Sequence, residues 1–246
     1  REAIAAAYVG EVLVVQQRSP SALVVFDGAP GEGPRTIPLG GGELTSQGHF
    51  DFHRVSGAVP GLSCASCHPE GRDDGHTWLL SDVGARRTQS LRGGLIDGGA
   101  LHWGGEFTTF GALSREVAQR RMGMALEDER PLATWIHHLP PVSGRSGEAS
   151  QELSSPGRVA LEQAGCQACH AGERLDSKEL FDVGTGGRFV VPSLLGVRFK
   201  APLMHAGCAT TVADRFDPAC GGDEHGDLSS LTPEQITALI EYLERL

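Results

Sequence analysis

The segment Cys64-Ala65-Ser66-Cys67-His68 recurs as Cys166-Gln167-Ala168-Cys169-His170. No other feature restricts this chain so strongly. Two thiols three positions apart, followed at once by an imidazole, form the attachment sequence for c-type haem. The thiols reach the two vinyl groups of one porphyrin, and the histidine is held beneath the iron as its proximal ligand. Zinc is the competing reading. Paired Cys-x-x-Cys zinc sites keep their pairs about 15–20 residues apart, whereas these lie about 100 apart. Zinc also has no need of a histidine after each pair. The motifs therefore predict two covalent haem c groups, on Cys64, Cys67 and His68 and on Cys166, Cys169 and His170. Such attachment takes place outside the cytoplasm. A periplasmic or otherwise extracytoplasmic location is expected, with a leader removed from the sequence.

Two of the six cysteines remain, Cys208 and Cys220. In an oxidising compartment they are expected to pair as a disulfide closing a short loop. A thiolate ligand to iron is the alternative. Glycine is abundant, at 34 of 246 residues, and aromatic residues make up only 6%. That balance suits a loop-rich chain whose core is completed by a macrocycle. The formal net charge of −10 disfavours nucleic acid and suits a redox partner protein with a basic face. No apolar run reaches the ~18 residues a membrane-spanning helix requires, so no transmembrane segment is expected.

Three segments can be distinguished along the chain. Residues 1–42 read as β: a strand from Val9 to Val15, another at Leu23–Phe26 and a third at Thr36–Leu39. Turns at Arg18-Ser19-Pro20 and Gly28-Ala29-Pro30-Gly31 separate them. Residues 43–142 and 143–246 then read as two copies of one module, joined by a Pro-, Ser- and Gly-rich stretch at 140–150. Each copy carries its motif early and ends in an amphipathic helix. In the first, Pro131 opens the helix and Leu132, Trp135, Ile136 and Leu139 share a face. In the second, Thr232 and Gln235 form a capping box, and Ile236, Leu239, Ile240 and Leu243 make the stripe. A further helix, capped by Ser155 and started by Pro156, delivers the second motif. The expected fold is mostly α: two cytochrome c-like haem modules in tandem behind a short N-terminal β segment.

The order of short motifs resembles the bacterial dihaem cytochrome c peroxidase and MauG superfamily. The first module carries Thr88-Gln89-Ser90-Leu91 and then His102-Trp103-Gly104-Gly105. The second carries Val191-Pro192-Ser193-Leu194-Leu195-Gly196-Val197 and Ala201-Pro202-Leu203-Met204-His205-Ala206-Gly207. The resemblance implies that Trp103 stands between the two haems as an electron relay. It also implies that Arg121, in Arg121-Met122-Gly123, occupies the position of a catalytic glutamate. Arginine stays protonated and cannot serve as a general base, although it can polarise a peroxide. The MauG branch places a tyrosine on one haem, and the tyrosines here, Tyr8 and Tyr242, lie elsewhere. Residues 1–42 resemble the end of a YVTN-type β-propeller blade.

The distal ligands decide the chemistry, since a closed iron transfers electrons and an open one binds substrate. For the second haem His225 is the candidate and Met204 its rival. For the first haem Met122, His102 and His76 compete. His205 is a candidate partner for a haem propionate. Asp73-Asp74 and Asp223-Glu224 are solvated charge, or carboxylates for the structural calcium that the resemblance allows. The expected function is electron transfer between two haems. The alternative is hydrogen peroxide reduction, with Trp103 relaying electrons.

Overall fold

The computed structural model describes residues 3–18, 20–28, 33–40, 46–55, 61–96, 99–142 and 155–246. The linker at 143–154 and parts of the turns at 19 and 29–31 lie outside the described residues. The chain divides into two compact units, Arg1–Phe50 and Asp51–Leu246.

The first unit is an antiparallel meander of β1 (Ala3–Val9), β2 (Val12–Gln17), β3 (Ala22–Phe26) and β4 (Arg35–Pro38), in that spatial order. The single strand expected from Val9 to Val15 is two strands. Gly10 at φ 62° reverses the chain there, and Val9 pairs with Val12 across a tight hairpin. The β-branched run conceals a turn that only the glycine marks.

The second unit is built of short helices and long loops. Its α-helices are α1 (Gln47–His53, straddling the division), α2 (Cys64–Cys67), α3 (Phe110–Ser114), α4 (Arg130–His137), α5 (Pro156–Gln163) and α6 (Pro233–Arg245). Ser155 caps α5 through Arg158 N, and Thr232 and Gln235 form the capping box of α6. α5 crosses α6 at Gly157, where a Cβ would lie 2.2 Å from the Ala238 carbonyl. Glycine lets the two backbones approach, and Leu161, Leu239, Tyr242 and Leu243 then fill one core. Phe52 plays the equivalent part in the first half, packing against Trp135 (ring centres 4.5 Å apart) with Leu132 and Ile136 of α4.

The duplication is visible in backbone detail. A hairpin of β5 (Thr77–Leu80) and β6 (Gly84–Arg87) is matched by β7 (Leu180–Asp182) and β8 (Arg188–Val190). A tight loop closed by the bridge Leu101–Phe107 is matched by one closed by Leu203–Ala209. His102 and Met204 occupy the same position in those loops, both in the left-handed region at φ 72° and 70°. The halves exchange backbone hydrogen bonds reciprocally. Arg87 N donates to His205 O (2.7 Å), and Val190 N donates to Trp103 O (2.8 Å).

Candidate functional site

The first motif forms α2, whose N-cap is Ser63, with a capping box closed by Ser66. The second follows α5 as a 3-10 turn at Cys166–Ala168. In each, the histidine amide donates to the carbonyl of the first cysteine, at 2.9 Å. The thiols of Cys64, Cys67, Cys166 and Cys169 are free and half-buried. Burial pushes all four up, Cys64 to about 11, so they stand as protonated thiols rather than thiolates. The two pairs belong to different cores: Cys64 packs beside Phe52 and Met122, Cys166 in the α5–α6 core. Among the described residues no three His, Cys, Asp or Glu gather to hold a metal ion. A zinc site shared by the pairs has no geometric basis, and the carboxylates considered for calcium do not assemble.

Both motif histidines are oriented alike. His68 Nδ1 lies 3.3 Å from Arg72 O and His170 Nδ1 lies 3.0 Å from Leu175 O. That bond holds each ring in orientation. Burial lowers both pKa values, which keeps the rings neutral.

His170 faces a cavity of about 340 Å³ whose wall also carries Cys166, Cys169, Met204 and His225. The rings of His170 and His225 have centres 6.2 Å apart and planes 25° from parallel. His225 is held by Arg215, whose guanidinium donates to His225 O and Gly222 O. Its Nδ1 is buried without a partner. Burial, then Arg215 and His170, push its pKa down to about 3, so the ring presents a lone pair rather than a charge. The disulfide Cys208–Cys220 ties this segment to the loop carrying Met204 and His205. Cys208 and Cys220 are thereby unavailable as iron ligands. The imidazole pair, the free thiols and the cavity fit a haem.

The candidates near the first motif do not converge in this way. His76 is exposed, its ring 5.4 Å from that of Trp78. His102 lies on the wall of the same cavity as His170, with Nδ1 3.6 Å from Glu106. Met122 is buried with Ala118 and Met124 in a cluster that includes Cys64. Among the described residues no imidazole faces His68 as His225 faces His170. Met124, 2% exposed, was not legible as a candidate; only its nearness to Met122 in sequence could have suggested it.

Trp103 donates from Nε1 to Arg87 O at 2.7 Å, and its ring meets His205 edge-on at 6.4 Å. His205 stacks on Phe189 at 3.7 Å, and its Nδ1 is buried without a partner. Trp103 therefore bridges the two halves. Arg121 is held by Glu116, Nε to Oε1 at 2.8 Å, in a π-helical segment (Arg115–Arg121) that continues α3. Glu116 also pairs with Arg120, and these two arginines push its carboxyl down to about 2.

No family profile matches the chain. It is 26% identical over 277 aligned positions to hydrazine synthase subunit gamma of Kuenenia stuttgartiensis, covering 83% of this chain and 78% of that protein. Its fold superposes on a chain of the xenon-pressurised hydrazine synthase of the same organism with a TM-score of 0.68 (21% identity, 81% of this chain and 86% of that one). It superposes with a TM-score of 0.60 on a MauG-like protein associated with microbial copper homeostasis (20% identity, 81% and 86% covered). The chain has a MauG-like fold. Neither comparison supplies a β-propeller for residues 1–42. No helix among the described residues is long and apolar enough to cross a membrane.

Proposed function

We propose that this chain is an extracytoplasmic dihaem c-type oxidoreductase with one closed haem site and one reactive haem site. Bound haem supplies one-electron chemistry and, where a coordination position is open, a place for a small substrate. Cys64, Cys67 and His68 hold the first group, and Cys166, Cys169 and His170 the second. His225 completes the second site, with Met204 in the same wall as the residue it excludes. Around the first motif Met122 and Met124 provide a soft apolar flank. Arg121, oriented by Glu116, is the cation available to a small polar substrate such as hydrogen peroxide. Trp103 couples the two sites. The negative surface suits a basic electron donor.

The observation that carries this reading is the asymmetry between the pairs: His170 has His225 at 6.2 Å, and His68 has no counterpart among the described residues. Similarity to a hydrazine synthase subunit supports redox chemistry on a small molecule. One consideration favours electron transfer alone: Arg121 stands where the resemblance places the catalytic glutamate, and an arginine stays protonated and cannot act as a general base. Stopped-flow mixing of the half-reduced, two-haem protein with hydrogen peroxide separates the two. Rapid peroxide-dependent oxidation is expected. Inertness to peroxide at intact haem content would leave electron transfer as the function.

A further inference from the structure

We propose that Lys200, Arg174 and Arg87 form a carboxylate seat that receives the propionates of the second haem. The inference rests on the haem reading above and concerns the opposite requirement of the same cavity, a place for the acidic edge of the macrocycle. All three side chains line that cavity. They come from different parts of the fold: Arg87 ends β6 of the first half, Arg174 follows the second motif, and Lys200 precedes the loop of Met204.

The charges here do not balance. Lys200 Nζ donates to Ser193 O at 2.8 Å and makes no ion pair among the described residues. Arg174 donates to Gly94 O and pairs with Asp176 at 3.1 Å, a carboxylate it shares with Lys178 at 3.9 Å. Arg87, 5% exposed, pairs with Asp73 at 2.8 Å, and its Nε is buried without a partner. Arg87 and Arg174 thus each have a carboxylate beside them, and Lys200 has only the Ser193 carbonyl among the described residues. Burying like charges together without counter-ions is costly. Burial and then Arg87 push Lys200 down to about 8, the direction that an uncompensated ammonium takes. Three other charged residues of the wall have hydrogen-bond partners of their own. Arg92 donates to Glu70 O, Arg215 to the His225 segment, and Asp182 accepts from Gly184 N. Glu224 is packed beside Gly184. A propionate would bring the negative charge that Lys200 lacks among the described residues, and an acceptor for the buried Arg87 Nε. Charge-assisted bonds from lysine and arginine to carboxylates are the strong kind.

The test uses the matured two-haem protein and the midpoint potential of each haem by spectroelectrochemistry. In Lys200→Met a propionate loses its counter-ion, which favours the ferric form. The reduction equilibrium of the second haem should fall about tenfold, a 59 mV drop for one electron, while the first haem stays unchanged. Lys200→Arg should restore most of it. If Lys200→Met does not mature, Arg174→Gln is read for the same downward shift. Two haems with unmoved potentials in both variants would overturn the seat while leaving the haem reading intact. A wild-type chain that carries no covalent haem would instead overturn the haem reading itself.

Discussion

Glu116 illustrates how a single side chain can be strongly perturbed without being catalytic. Hydrogen bonds from Arg120 and Arg121 lower its carboxyl from 4.5 to about 2. A depressed carboxylate stabilises the fold above its unfolded pKa, and that stabilisation is lost as pH falls from about 4.5 towards 2. Glu116→Gln should therefore lower the melting temperature at neutral pH and flatten its decline across that window. An unchanged acid limb in pH-dependent thermal denaturation would show that the pairing contributes nothing in solution. Trp103 makes a different kind of contribution. Trp103→Phe keeps the ring but deletes the bond to Arg87 O, at a cost of about 1 kcal/mol. Haem content should survive, and electron equilibration between the haems, followed after flash reduction, should slow. An unchanged rate would remove Trp103 from the coupling path. The thiols and histidines of both motifs were legible from sequence because their spacing is itself the chemistry. Arg87, Lys200 and Met124 were not, because an isolated cation or methionine carries no local signature; only the tertiary fold gathers them.

Among the elements, the helices were read best. Caps at Ser155 and Thr232, prolines at the first turns and apolar stripes are local signals, and the observed ends lie within two residues of them. The paired hairpins β5–β6 and β7–β8 escaped notice because three- and four-residue strands held by backbone bonds carry no periodic pattern. The crossing of α5 and α6 depends on one absent side chain. Gly157→Ala would drive a methyl into the Ala238 carbonyl and Tyr242 Cβ, so the helices must separate. A loss of about 1–3 kcal/mol in denaturant unfolding is expected, and an unaffected midpoint would contradict the close crossing. The Cys208–Cys220 bond secures the segment that carries His225. Removing it as Cys208→Ser with Cys220→Ser should cost about 3 kcal/mol and let an exogenous ligand compete at the second haem. Full stability in the double variant would mean that the disulfide holds nothing in place.

For the whole molecule, the duplication explains both the resemblance and the difference between the halves. The reciprocal bonds Arg87–His205 and Val190–Trp103 place the halves in equivalent relation, yet the equivalent loop positions hold different residues, His102 and Met204. Among the described residues, only the second half carries a disulfide and a facing imidazole pair. On the proposed reading, one scaffold serves a closed site and a reactive one. The most direct test of that division is carbon monoxide titration of the fully reduced protein, after pyridine haemochrome analysis has counted two haems per chain. An iron held by two protein ligands resists the gas, whereas one with an open position accepts it. The account predicts one carbon monoxide per chain. Two would show that His225 does not close the second site, and none would show that both sites are closed and the chain only carries electrons.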